Sequence, residues 1–439
     1  MAPTPLRSVA AFLAGCALVA ACSADDGQGT GATGREEIDY EAIGLWDDGL
    51  CDEARDPLRI GLMTVFQSPV VSLEDQAVAL EQAAAAFNAR GGANGACIEV
   101  HTCDDRATVD QAVACVREID EAGVVATVND LGTAGNAEVS AAMADAGIPR
   151  VASNVTPDDW GDPNAFPLDA SGTGALFLSP QGLIEEGVSD IGLIRVDLPL
   201  AAALSGLLGD LYAGTATFPV DIPVPAGTTD YSQFVLRVQE SDAEGASIAL
   251  GEQEAVQVAR AAQSLGTDLL IGTSLGSFSH SSVGELDDFA DQMVFVWSYA
   301  PATADIPAYA ALRDDLAASG EEALQTENLK ASPMRSWIGL YALLRMLRDA
   351  GMTAFTRESI TELLESATNV PMLDMFGGEN WTPNDDHPGA FARAGIDRWA
   401  IYRWRHDAES EFGGDFVETA AISFDEVLCG SPFGAPPPC

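Results

Sequence analysis

Apolar positions along this chain switch between short unbroken runs and stripes of helical period. The clearest case is the stretch 124–156. Val124 to Val128 is a β-branched run, the mark of a strand buried on both faces. Asn129 to Gly135 is rich in Gly, Asn and Asp, which is turn chemistry. Ala137 to Ala146 then places Val139, Ala142, Met143 and Ala146 on one helical face, and Gly147 and Pro149 stop it. Arg150 to Ala152 begins another strand, and Ser153 to Thr156 is its exit loop. A strand–helix–strand unit of this length implies a right-handed crossover and a parallel sheet. Ligands on such sheets sit beyond the carboxyl ends of the strands. Here those ends carry Thr133, Asn154 and Thr156. Thr133 opens a helix, beside unpaired backbone N–H groups that suit a carboxylate; it also reads as a plain helix cap.

The same alternation precedes this unit. Leu58 to Thr64 is a strand, followed by a loop with Phe66, Gln67 and Pro69. Ser72 with Asp75 predicts a capping box, and Leu73, Ala77, Leu80, Ala84 and Phe87 form one apolar face. Gly91-Gly92 ends that helix, and Cys97 to Thr102 is the next strand. Thr108 and Gln111 open a helix with Val109, Ala112, Val113, Val116 and Ile119. This is the pattern of a doubly wound α/β domain. Downstream, strands are predicted at 190–196, 220–224, 246–250, 268–271, 293–297 and 398–405. Helices are predicted at 201–212, 232–239, 254–264, 334–349 and 357–366. Residues 157–180 show little periodicity and several prolines. The stretch after Asp407 is acidic, then Pro/Gly rich, and predicts no element.

The chain has 439 residues, room for two or three domains, with 47% hydrophobic residues. Its formal charge of −46 argues against nucleic acid and against anionic lipid surfaces as partners. The same charge also suits a merely solvating acidic surface. Arg7 is the only charge before Asp25, and Ser8 to Ala21 is an apolar stretch of small residues. It ends at Val19-Ala20-Ala21-Cys22, which resembles a bacterial lipoprotein signal; Leu13-Ala14-Gly15-Cys16 fits the same pattern with a shorter apolar core. Cys22 is the expected lipidation site. No later run has the roughly 18 apolar residues of a membrane-spanning helix. Six further cysteines suit disulfides in an exported chain. Cys103 with Cys115, Cys51 with Cys97 and Cys429 with Cys439 are the expected pairs. No CxxC occurs and the four histidines are scattered, so no metal site and no cofactor are expected.

The order LRIGLMT, NARGGANG, CIEVHTCDDRATVDQAVACVREI, VNDLGTAG and AGIPRVASNVT, with GTTDYSQF at 227–234, resembles the type I periplasmic binding proteins. The nearest branch is that of branched-chain amino acid binding proteins of ABC importers. The resemblance spans about residues 58–405. It implies two doubly wound parallel-sheet lobes joined by a multi-strand hinge, closing on ligand in the cleft between them. Residues 1–21 would be a signal peptide and 22–57 a flexible tether. Residues 58–176 and 299–366 would form lobe 1, 177–298 and 367–406 lobe 2, and 407–439 a tail. The product would be a monomer anchored by lipid to the outer face of the cell membrane, delivering its ligand to a membrane permease.

Carried over residue by residue, the resemblance gives Thr133 the ligand carboxylate, Asn154 backbone contacts, and Thr156 the ligand's polar head. From lobe 2, Gly251, Glu252 and Gln253 stand where the family has an aromatic wall. Ser274 stands where the family has a carboxylate for the ligand ammonium. A buried ammonium needs a paired charge. Either Glu252 supplies it, or the ligand is not a simple α-amino acid. Phe66, Gln67 and Trp160 are candidates for the remaining wall, or pack without touching ligand. The expected ligand is an amino acid or a related carboxylate or amide.

Two rival readings stay open. Gly272-Thr273-Ser274-Leu275-Gly276 matches the nucleophile elbow of α/β hydrolases, and His387 beside Asp385 and Asp386 would complete a triad. The elbow needs a helix immediately after it, and SFSHSSVGEL shows no clear apolar face, so no catalytic residue is expected. A ligand-binding sensor without transport fits the sequence equally.

Overall fold

The computed structural model describes residues 38–66, 68, 72–131, 134–154, 161–385, 387, 389, 392–407, 410, 413–432 and 434. Signal, lipidation and much of the tether expectation, with Cys16 and Cys22, lie outside these residues. So do Gln67, Thr133, Thr156, Trp160, Asp386 and Cys439. No helix among the described residues is long and apolar enough to cross a membrane.

Two α/β sheets form the body. The first has strands β1 (Leu58–Thr64), β2 (Ile98–Asp104), β3 (Ala126–Val128), β4 (Arg150–Val151) and β5 (Ala165–Phe166), in the order β2-β1-β3-β4-β5. All neighbours are parallel, as the β-branched runs predict. Helices α2 (Val109–Glu121) and α3 (Asn136–Ala146) pack together, and Cys115, Val116, Val139 and Met143 share one buried cluster with Met63. Helix α1 (Glu74–Ala89) packs against α10 (Ala331–Asp349). Its expected capping box is not formed. The N-cap is Leu73, and the Ser72 hydroxyl instead donates to the Phe66 carbonyl. At α2, Thr108 does cap, accepting from the Gln111 N–H.

The second sheet runs β12-β11-β10-β9-β8-β6-β7. Strands β6 (Ile191–Val196), β7 (Asp221–Val224), β8 (Gly245–Ala249), β9 (Leu270–Ser274) and β10 (Met293–Trp297) are parallel. Strands β11 (Arg398–His406) and β12 (Gly414–Ser423) add an antiparallel edge. Its tryptophans Trp399 and Trp404 are buried in sheet packing. Between the strands come α5 (Pro199–Leu211), α6 (Ser232–Glu240) and α7 (Glu252–Leu265).

Three stretches differ from the sequence expectation. Residues 157–180, expected to be irregular, contain β5 and most of helix α4 (Ser171–Glu185). Helix α4 is buried almost throughout against β8, β9 and β10, so it shows no polar face and no amphipathic period. Beyond Asp407, where nothing was expected, β12 and the short α12 (Phe424–Leu428) complete the second sheet. At the other end, Leu45 and Trp46 are buried, and Trp46 stacks on Phe87 at 5.5 Å. The chain is therefore part of the first lobe well before Leu58. The Cys51–Cys97 and Cys103–Cys115 disulfides are present as expected, and Cys429 is also disulfide-bonded.

The chain passes between the sheets three times: from β5 into α4, from β10 toward α9 (Pro307–Ala317), and from α11 (Arg357–Ser366) to β11. These passages are tied to one another. Ile396 N–H donates to the Leu168 carbonyl at 2.6 Å, and Ala300 N–H to that of Met375 at 3.0 Å. Gly395 lies at φ +73° with Leu168 backbone against it, so a Cβ there would meet that backbone at 2.5 Å.

Candidate functional site

The carboxyl ends of the first sheet's strands carry a buried polar network. Thr64 Oγ1, at the end of β1, donates to Gln76 Oε1 of α1 at 2.9 Å. Asn129, just past β3 and in the left-handed region at φ +58°, donates from Nδ2 to Ser336 Oγ of α10 at 2.8 Å. Its Oδ1 accepts from Asn154 Nδ2 at 2.6 Å. Asn154 N–H donates to the Asp130 carbonyl, so both exit loops are held in one geometry. Phe66, half-buried, is fixed through its N–H by Asp104 Oδ1 at 3.0 Å. Beneath the loops, Arg150 and Asp130 form a buried ion pair at 2.7 Å.

Sequence reasoning missed the residue that joins this platform to the passages. Arg335 of α10 is fully buried. Its Nε and Nη2 donate to the carbonyls of Ala152 and Ser153, the exit of β4. Its Nη1 pairs with Asp169 Oδ1 at 2.7 Å, and Asp169 Oδ2 accepts from Ser298. Asp169 lies on the first passage and Ser298 on the second. One guanidinium thus links the Asn154 loop to both. No sequence signal pairs an arginine inside an apolar helix with such a distant aspartate.

From the second sheet, Gly251 and Glu252 follow β8, and Ser274 ends β9. These too are carboxyl ends, and α10 of the first lobe packs on the turn after Ser274. Glu252 is already engaged. Its Oε1 accepts from Ser279 N–H and Oγ at 3.1 and 2.9 Å, and its Oε2 lies 3.7 Å from Lys330 Nζ. Lys330, the residue before α10, reaches Asp75 Oδ2 of α1 at 3.2 Å. Burial opposes the Lys330 charge, but Asp75 and Glu252 outweigh it and raise its pKa. Nearby, Ser281 N–H donates to the Glu327 carbonyl at 2.9 Å.

Ser274 does not look like a nucleophile in this geometry. Its Oγ accepts from Gly276 N–H at 3.0 Å, as a cap. Both glycines of Gly272-Thr273-Ser274-Leu275-Gly276 answer to packing. A Cβ at Gly272 would meet Leu183 of α4 at 2.8 Å, and one at Gly276 would meet Trp297 at 2.6 Å. Contrary to expectation a short helix, α8 (His280–Gly284), does follow, with a Ser279/Ser282 capping box. No hydrogen bond among the described residues joins Ser274 to His387. His387 Nδ1 instead pairs with Asp425 Oδ2 at 3.1 Å, with Asp397 close by. Burial opposes that histidine's charge, but the bond to Asp425 and the charges of Asp425, Asp385 and Asp397 raise its pKa. Two open grooves, of about 460 and 400 Å³, flank residues 421–423 of β12 at the outer edge of the second sheet, and neither is lined by the residues carried over from the resemblance.

Comparison with known proteins follows this geometry. Among curated sequences none matches. Among solved structures, a fatty acid ABC transporter substrate-binding protein from Thermomonospora curvata superposes with TM-score 0.68 at 17% identity, covering 88% of this chain and 96% of that one. A solute-binding protein of an R. palustris ABC transporter, in complex with 4-hydroxybenzoate, gives 0.66 at 12% identity, covering 84% and 97%. A leucine-, isoleucine-, valine-, threonine- and alanine-binding protein from Brucella ovis gives 0.66 at 14%, covering 85% and 96%. At these identities the likeness is one of fold. The model of the periplasmic binding proteins matches residues 57–408, most of the chain. With two parallel-stranded lobes, three linked passages and carboxyl-end loops meeting around α10, this chain belongs to the periplasmic binding protein family, in its type I form.

Proposed function

We propose that this chain is the extracytoplasmic solute-binding protein of an ABC importer. It takes a small carboxylate or amide into the cleft between its lobes, closes by bending at the three passages, and presents the closed form to a permease without performing chemistry. The observation that carries the reading is the meeting of carboxyl-end loops from two parallel sheets across linked passages. Thr133, Thr156, Phe66, Gln67 and Trp160 would line the first lobe's side. Asn154 would contribute backbone, since its side chain is held by Asn129. Gly251, Glu252 and Ser274 would line the other side. The three structural relatives named above are described as binding a fatty acid, 4-hydroxybenzoate or amino acids, and all of these carry a carboxylate. Lipidation at Cys22 would hold the monomer at the membrane surface.

A thermal-shift screen on the form beginning at Ser23 tests this, with amino acids, carboxylic acids and amides as the panel. A ligand at 100 times its Kd stabilises by about 2.7 kcal/mol. One compound class is expected to raise the Tm, and Thr133→Ala or Thr156→Ala to remove the rise. Turnover of an ester that Ser274→Ala abolishes would overturn the reading.

A further inference from the structure

Lys330 places a cation between the lobes. Its ammonium stands between Asp75, in the first turn of α1 on the first lobe, and Glu252, at the start of α7 on the second. Both acids follow the carboxyl end of a parallel strand, β1 and β8, so both belong to the faces that meet when the lobes close. Side chains of Asp75, Lys330 and Glu252 are 12%, 24% and 28% exposed, so water screens the three only in part. Without the lysine, two carboxylates would approach each other across the cleft, and closure would need a cation from outside. With it, that requirement is met from within the chain. Glu252 is already oriented, since its Oε1 accepts from Ser279 and its Oε2 faces Lys330 at 3.7 Å. Ser274 Oγ accepts from Gly276 N–H and carries no charge to meet an ammonium. Asp75 Oδ1 is buried and without a partner among the described residues, and one neutral hydroxyl or amide N–H suffices for it.

We propose that Lys330 is a specificity-determining residue. It fills the place a ligand ammonium would otherwise take between Asp75 and Glu252, so the cleft selects carboxylates that lack an amine. A ligand bearing an ammonium there would have to displace Lys330 from both acids and leave it unpaired. A deaminated ligand displaces nothing. The ligand class rests on the solute-binding reading above, whereas the role of Lys330 as the bridging cation does not.

The experiment therefore has two arms. In the first, Lys330→Ala is melted with ethylammonium at tens of millimolar, with tetramethylammonium at equal ionic strength as control. Ethylammonium has N–H donors and the control has none. A rise in Tm is expected with ethylammonium alone, in the variant and not in the parent, and its loss in Asp75→Asn/Lys330→Ala. Lys330→Met, which keeps the stem and lacks only the ammonium, serves with ammonium ion in place of ethylammonium if the alanine variant does not fold. An equal response of parent and variant would overturn the proposal. In the second arm, 4-methylpentanoate is compared with leucine, and 3-phenylpropanoate with phenylalanine. The parent is expected to favour the deaminated acid by about tenfold and Lys330→Ala to lose that preference. Preference of the parent for the amino acids would overturn the ligand class. Ethylammonium rescue with no response to any acid would leave Lys330 as the bridging cation and count against the solute-binding reading instead.

Discussion

Two ionic clusters join the lobes, and they differ in burial. Around Arg335 the charges are sealed: Arg335 and Asp169 have no exposed side-chain surface, and every guanidinium nitrogen has a partner. Around Lys330 the side chains remain partly wet. A sealed pair holds because breaking it strands a charge away from water. A partly wet pair separates at lower cost, since water takes over part of each charge. Under the closure proposed above, the first suits a joint that stays assembled and the second a contact that can part.

The largest way to break this contrast is Arg335→Met. Losing one partner of a buried pair costs about 3–5 kcal/mol. Denaturant unfolding is expected to show a loss of that size, partly recovered in Arg335→Met/Asp169→Asn. A loss below the size of an exposed pair would remove the distinction. Next comes Lys330→Ala, expected to cost less than Arg335→Met, and to cost less still in 1 M salt, where the screening length falls to about 3 Å. Arg335→Met should be insensitive to that salt. The smallest effect concerns the His387–Asp425 pair beside the third passage. The folded pKa of His387 is raised, so its contribution is complete below the ordinary histidine value. It fades as pH rises through the folded one. Melting temperatures should drift down from pH 6 toward pH 8, and His387→Gln should flatten the drift. An unchanged drift in that variant would assign it elsewhere.

Much of the architecture was readable because single stretches carried it. Residues 293–297 and 357–366 match their strand and helix to the residue, since the first is a short unbroken apolar run and the second carries a helical stripe. Helix α4 was hidden by the opposite circumstance: burial on all sides erases the stripe, and Pro180 reads as a breaker. Strand β12 was hidden by an edge position that leaves several of its side chains polar or exposed. Of the site, the loop positions followed from topology and resemblance. The clusters did not, because Asp75 looks locally like a helix cap and Lys330 like any surface lysine. What makes them partners is a fold-level meeting that no window of sequence contains.

The attachment of residues before Leu58 has a mechanical consequence. Trp46 is stacked into the side of α1, and Cys51 is bonded to the residue preceding β2. A pull exerted along the chain from ahead of Asp39 enters the first lobe at Trp46 and at the Cys51–Cys97 bond before it reaches the second. The bond works as a second load path: tension at Cys51 divides between the backbone leading to β1 and the disulfide to the residue preceding β2.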